Sequence, residues 1–373
     1  MASAFRTLFG DAFSVDWLLF VPALLISLAG LVTMDSFQGD THFFSRQIIW
    51  LSISVAVFFF ATAVDWRFLR RTRILVSLYL FVVGLLVLLF VVGHVSKGAA
   101  RWFTLGGLAF QPSDLAKLVI ILILAKYFSR RHTEIANVRH IIVSAVYAGI
   151  MAVLVLLQPS FGGAIIILGI WFGMVLVSGI SKKHLFTVLA VGTVMISLLW
   201  LFVFQPYQKA RIETFLNPLA DIHGAGYNAY QSTIAVGSGR VLGKGIGYGT
   251  QSKLLFLPEY QTDFIFAAFA EEWGFIGATL LLIICIALLY RIIDNARTAA
   301  TNFETLVGLG LAILYMTHIV IHAGMDMGAL PVTGITFPFM SYGGSHLVVE
   351  WLSLGILSGS KRYASGPKVE VIG

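Results

Sequence analysis

Residues 74–92 read ILVSLYLFVVGLLVLLFVV with no charged side chain, and residues 264–290 read FIFAAFAEEWGFIGATLLLIICIALLY with two glutamates as the only charges. A run of roughly 20 mostly apolar residues is what a helix needs to cross a bilayer, because hydrocarbon offers the backbone no hydrogen bonds and only a helix or a closed barrel satisfies itself. Barrel strands would alternate polar with apolar residues, and these runs do not. Similar runs lie near 17–34, 47–64, 115–128, 141–157, 163–180, 185–204, 305–323 and 345–358. The expectation is an all-α polytopic membrane protein of ten transmembrane helices, one integral-membrane domain over residues 1–373.

Composition agrees. Of the 373 residues 58% are hydrophobic and 12% charged, against about 25% charged in soluble domains. A water-soluble enzyme, a disordered chain and a collagen-like repeat are excluded. The net charge of +7 is a topology signal here rather than a nucleic-acid footprint, so no nucleic-acid partner is expected. Placing both termini in the cytoplasm puts Arg67, Arg70, Arg71, Lys126, Arg130, Lys182 and Arg291 inside, and leaves few basic residues in the short outer segments. Residues 205–263 then form a large extracytoplasmic loop between the seventh and eighth helices. A connection that long is usually functional. The first run lacks a basic segment before it and a small-residue cleavage site after it, so a retained helix is expected. The lone Cys285 allows no intrachain disulfide and no cysteine-based zinc site.

Ionisable residues at membrane depth are the candidates for chemistry. In Gln111-Pro112-Ser113-Asp114-Leu115-Ala116-Lys117, Pro112 blocks a preceding helix, and Asp114 and Lys117 share a face one turn apart. They either pair with each other or present Lys117 to an anion. Arg101, within Ala100-Arg101-Trp102-Phe103, is either a phosphate ligand or an interfacial anchor. Asp263, Glu271 and Glu272 lie at the start of an apolar run. Partial desolvation there would raise a carboxylate pKa toward that of a general base, while the plain alternative for Asp263 is a helix N-cap. The stretch 237–249 is rich in glycine, and its N–H groups with Arg240 and Lys244 suggest an anion nest; the Walker and Rossmann spacings are absent. His318, His322 and Asp326 recur every four residues on one face, and polar packing outweighs metal binding as their reading. The punctuated stretch 330–345 must be buried or line a cavity if it sits at membrane depth.

Together these segments resemble the shape, elongation, division and sporulation family of bacterial membrane proteins. The resemblance is carried, in family order, by Ala100-Arg101-Trp102, Gln111 to Lys117, Gly243-Lys244-Gly245-Ile246-Gly247, Thr262-Asp263-Phe264-Ile265-Phe266 with Glu271-Glu272-Trp273-Gly274, and Leu330 to Gly334 through Pro338 to Ser341-Tyr342-Gly343-Gly344-Ser345. It implies a ten-helix peptidoglycan glycosyltransferase in the bacterial cytoplasmic membrane that polymerises lipid II at the outer face. It also implies a class B penicillin-binding protein as partner, with other elongation-complex membrane proteins. By the same resemblance Asp263 is the catalytic base. Arg101, Asp114, Lys117, Arg240, Lys244, Glu271, Ser341 and Tyr342 bind or support the substrate. A divalent cation, Mg or Mn, is an open expectation with too few oxygen ligands in view to assert a site. Compact length and short tails favour the elongation type over the division type. Three departures stand out: Gln158-Pro159-Ser160 lacks the family's carboxylate, Arg240 follows Gly239 where a second glycine is usual, and His322 stands where asparagine is common. A lipid II flippase and a non-catalytic scaffold are the competing readings.

Overall fold

In the computed structural model the residues described are 15–36, 41–92, 94–96, 99–105, 108–130, 138–217, 224, 226–254 and 256–362. The helices are α1 (Trp17–Asp35), α2 (Thr41–Ala63), α3 (Thr72–Val92), α4 (Pro112–Ser129), α5 (Val138–Leu157), α6 (Phe161–Val177), α7 (Lys182–Phe202), α8 (Pro206–Leu216), α9 (Tyr227–Ser238), α10 (Thr250–Lys253), α11 (Ile265–Arg297), α12 (Asn302–Asp326) and α13 (Gly344–Arg362). Each of the ten expected runs holds a helix. Seven of them, α1, α2, α3, α5, α7, α11 and α12, are long and apolar enough to cross a membrane. The other three are shorter or more polar: α6 has 17 residues, α4 carries Asp114, Lys117 and Lys126, and α13 carries Glu350 and Lys361.

One feature departs from the all-α expectation and two refine it. Between α3 and α4 the chain forms a small antiparallel sheet of β1 (His94–Ser96), β2 (Ala99–Leu105) and β3 (Leu108–Phe110), in that order. Two of its strands have three residues each, and β2, Ala-Ala-Arg-Trp-Phe-Thr-Leu, does not alternate polar with apolar residues. The long connection after α7 is not structureless but holds α8, α9 and α10. And α11 runs 33 residues, longer than its apolar run, with a break at Gly274 (φ 65°, ψ −167°).

The bundle is organised around α4 and α12. Along α4 nearly every residue from Pro112 to Ala125 is buried, and α12 buries Leu311, Tyr315, His318, His322 and Asp326 in successive turns. A helix apolar almost all round belongs inside a bundle. At the other extreme, α7 has no buried residue, as expected of an apolar helix whose solvent is lipid. Helix α12 packs against α4, α6 and α11, and α13 lies along α2. The 330–343 segment between α12 and α13 folds back into the core, burying Ile335, Phe337, Phe339 and Met340. Its irregular backbone is thereby enclosed in protein, as the membrane rule requires.

Candidate active site at the entrance of helix α11

The N-cap of α11 is Phe264, with no side-chain cap, so Asp263 stands one residue ahead of the helix and is not its cap. The missing cap comes from elsewhere. Asp326, at the end of α12, accepts the Ala267 N–H through Oδ2 at 2.9 Å, in the first turn where a carboxylate best offsets unpaired donors. The turn before the helix closes on one carbonyl, with Thr262 and Asp263 donating their N–H groups to Glu259 O at 3.0 Å each. Glu259 adopts φ 52° to do so, a conformation that stores strain in a residue with a Cβ. The 330–343 segment buckles this turn in place. Ser341 Oγ donates to Thr262 O at 2.7 Å and accepts from the Phe337 N–H at 2.7 Å, and the Tyr342 N–H donates to Gln261 O at 2.8 Å. Gln47, buried on α2, donates to Ser341 O at 3.1 Å and accepts from the Gly343 N–H at 3.3 Å.

Backbone is held on every side of Asp263, yet its carboxylate is half-buried and has no hydrogen-bond or ion-pair partner among the described residues. A Cβ placed on Gly334 (φ 67°) would lie 3.3 Å from Asp263 Oδ2 and 3.8 Å from Arg211 Nη1. Acid and guanidinium therefore flank the same glycine without pairing. Burial pushes the Asp263 carboxyl up to about 6; His322 and Arg211 pull it down, and Glu259 and Asp326 push it further up. A carboxylate poised near neutral pH and open on one side can accept a proton.

The two glutamates of α11 serve a different purpose. Glu271, fully buried, accepts from Lys244 Nζ at 2.6 Å, the Thr250 N–H at 2.8 Å and the Gln251 N–H at 3.1 Å. Glu272 accepts from Ser36 Oγ at 2.5 Å and the Gly247 N–H at 3.0 Å. The break at Gly274 frees backbone groups of α11, and the glycine-rich loop takes them up: Lys244 N–H to Glu271 O and Gly245 N–H to Glu272 O at 3.0 Å each, and Phe275 N–H to Arg240 O at 2.9 Å. A Cβ on Gly243 would sit 2.0 Å from Glu272 O and one on Gly274 2.2 Å from Gly243 N, so both positions exclude any side chain. The loop expected to be a free anion nest is a plug in a helix kink, and Lys244 is committed to Glu271. Arg240 is exposed with φ 49°.

Deeper in the bundle, Lys117 donates to Asp114 Oδ1 at 3.0 Å, both nearly buried. Ser345 Oγ donates to Asp114 Oδ2 at 3.2 Å, and His346 Nδ1 lies 3.6 Å from Asp114 Oδ1. His346 Nε2 meets Glu350 Oε1 at 2.9 Å and Thr336 Oγ1 at 2.7 Å, and Glu350 Oε2 accepts the Phe339 N–H at 2.7 Å. A cavity of about 20 Å³ among Asp114, Lys117, His318, His346 and Glu350 has room for about one water. Of the two readings for Asp114 and Lys117, the geometry matches the pair. His318 and His322 each use Nδ1 on a backbone carbonyl, Thr336 O at 3.0 Å and Ile335 O at 2.8 Å. Among the described residues no three His, Cys, Asp or Glu side chains converge as a metal cage. Protein ligands alone do not fit a divalent cation here, and no step below is routed through one.

The structure thus brings Asp263, Ser341 and Tyr342 together, with Tyr342 ring-packed on Phe43 at 5.0 Å. It sets Glu271 with Lys244 and Asp114 with Lys117 as separate internal pairs. The Arg101 backbone is in β2, and its side chain lies outside the described residues. Arg211 and Gln47 are the residues that sequence reading missed. Both are ordinary polar residues within their segments, and only the tertiary fold carries them to Asp263.

A bundle of long apolar helices with a carboxylate that has no partner among the described residues, set after a strained turn at the entrance of one of them, defines a polytopic membrane protein with a polar site at a helix end. The chain belongs to the Cell cycle protein family FTSW_RODA_SPOVE, which matches residues 12–366. It is 35% identical over 361 residues to stage V sporulation protein E of Bacillus subtilis, covering 94% of this chain and 98% of that one. It is 38% identical over 280 residues to the peptidoglycan glycosyltransferase MrdB of Escherichia coli, covering 75% of each. Among solved structures it resembles a chain reported for the structural coordination of polymerization and crosslinking by a peptidoglycan synthase complex, with TM-score 0.81, 31% identity, and coverage of 95% of this chain and 100% of that one. It also resembles the rod shape determining protein RodA of Thermus thermophilus, with TM-score 0.72, 30% identity, and coverage of 95% and 99%. It is a multi-pass protein of the bacterial cytoplasmic membrane.

Proposed function

We propose that this chain is a peptidoglycan glycosyltransferase that polymerises lipid II at the outer face of the membrane. In this reading residues 1–373 form one domain of ten spans, with both termini cytoplasmic and residues 205–263 outside. The observation that carries it is the half-buried Asp263, whose carboxylate has no partner among the described residues and is pushed up to about 6 by burial. Asp263 takes the proton of the 4-hydroxyl of one lipid-linked disaccharide. The freed electron pair forms a bond to the anomeric carbon of another, and the bond from that carbon to pyrophosphate oxygen breaks, with the electron pair leaving on the lipid pyrophosphate. General-base help of this kind contributes about 10²- to 10⁴-fold, so a basic group at the leaving phosphates must supply further stabilisation.

A class B penicillin-binding protein as partner is supported by the likeness to a chain of a peptidoglycan synthase complex. Service in wall elongation is supported by the likeness to the Thermus rod shape determining protein. Surface chemistry is favoured over lipid transit because the charges that could line a path are already engaged: Asp114 with Lys117, Glu350 with His346 and Glu271 with Lys244. The test is glycan-strand formation from purified lipid II, with a partner whose own activity is blocked. Wild type should make polymer and Asp263→Ala should not, while both melt alike. Polymer from the variant would remove Asp263 as base. Restoration of rod shape rather than division in cells depleted of each native polymerase tests the elongation role.

A further inference from the structure

We infer that Arg211 is the anion-binding residue of this site and holds the lipid-linked pyrophosphate of the glycosyl donor. The inference rests on the glycosyl-transfer reading above and names the group that receives the leaving charge. Helix α8 is fixed at its start by Pro206 in the first turn and by a reciprocal capping box between Gln205 and Gln208. Gln208 and Thr214 are its buried residues, and Arg211, three residues from each, shares their inward face. The helix therefore aims Arg211 at the protein.

Several partly or fully buried cations are already committed to carboxylates. Lys117 pairs with Asp114, Lys244 with Glu271, Arg70 with Glu304, and Arg291 with Asp16. The Arg211 guanidinium, half-buried, has no hydrogen-bond or ion-pair partner among the described residues, although Asp263 stands just across Gly334. Desolvating a guanidinium without a partner is unfavourable unless a ligand completes it. Its planar fork suits two phosphate oxygens. The neighbouring carboxylate is the expected base, so the two substrates meet beside Gly334, the acceptor's 4-hydroxyl toward Asp263 and the donor's phosphates toward Arg211. As the bond to the anomeric carbon breaks, negative charge grows on the phosphate oxygen and the Arg211 interaction strengthens, which is the condition for lowering the barrier. Of the basic residues that sequence reading set beside the pyrophosphate, Lys117 and Lys244 are already taken by carboxylates.

The experiment measures equilibrium binding of undecaprenyl pyrophosphate, and in parallel undecaprenyl monophosphate, to the purified full chain in detergent. Lipid II polymerisation and thermal melting are followed on the same samples. The proteins are wild type, Arg211→Ala, Arg211→Lys and Lys183→Ala, the last an exposed residue on α7. Arg211→Ala should weaken binding of the pyrophosphate lipid by about 10- to 100-fold, the loss of one or two charge-assisted hydrogen bonds. The monophosphate lipid should lose less, Arg211→Lys should recover part of the affinity, and Lys183→Ala should match wild type. A folded Arg211→Ala that binds the pyrophosphate lipid as wild type does overturns the assignment, as does an equal loss for both lipids. A defect for lipid II with none for the pyrophosphate lipid overturns it too, in favour of a stem-peptide carboxylate. If wild type binds, Arg211→Ala does not, and wild type makes no polymer, the polymerase reading fails while the binding site stands.

Discussion

Asp114 and Asp263 are the same side chain in one bundle, and their surroundings could hardly differ more. Asp114 is met by Lys117 at 3.0 Å, Ser345 at 3.2 Å and His346 at 3.6 Å, deep between α4 and α13. Asp263 has its backbone bound from Glu259 and its turn held by Ser341 and Tyr342, while its carboxylate meets no partner among the described residues. A buried charge that is fully paired has spent its interactions on the fold. One that is rigidly placed but unpaired keeps them for a ligand.

The comparison can be broken at either end. The largest expected effect is at the paired end. Lys117→Met takes from buried Asp114 its nearest counter-charge, leaving Ser345 and His346, and should lower stability by up to about 3–5 kcal/mol, read as a lower melting temperature in detergent. The double variant Asp114→Asn with Lys117→Met should recover most of that loss. A single variant that melts like wild type would show the pair to be dispensable.

At the unpaired end the expected effect is on rate and depends on pH. Asp263 must be ionised to take a proton, and burial raises its carboxyl to about 6. Polymerisation should therefore be at full rate above that value and fall as pH drops through it, by about tenfold for each further pH unit. Because Arg211 draws this pKa down, Arg211→Ala should move the midpoint to higher pH. A flat profile between pH 5 and 8 would detach the rate from Asp263.

The smallest effect expected is at the buckle between the two. Ser341→Ala removes the hydrogen bond to Thr262 O, worth about 0.5–1.5 kcal/mol. It should reduce kcat more than it raises KM, since the turn carries the base rather than the substrate. A change confined to KM would make Ser341 a substrate contact.

Much of the bundle was legible because most of the apolar runs approach the length of a bilayer, as with 74–92. The break in α11 was not, since hydropathy runs unaltered through Gly274 and only the docked loop at 239–249 explains it. The β1–β3 sheet was missed because β1 and β3 are three residues long and β2 lacks alternation. Local pattern alone favoured Asp263 as an N-cap; the family resemblance, not composition, singled it out, and the structure puts the N-cap at Phe264. Lys244 looked free in a basic, glycine-rich stretch because its partner, Glu271, lies 27 residues on. Arg211 carried no local signal at all: its place beside Asp263 depends on α8 and Gly334 meeting in space.

The central claim is that these two aspartates divide stability and chemistry between them. The most direct measurement compares Asp263→Asn with Asp114→Asn in lipid II polymerisation and in thermal melting, with the blocked penicillin-binding protein present. The account predicts that Asp263→Asn melts as wild type and loses about 10²-fold or more of its rate, while Asp114→Asn melts lower and, where folded, still polymerises. Normal polymerisation by Asp263→Asn, or a catalytic loss in Asp114→Asn with unchanged melting, would contradict it.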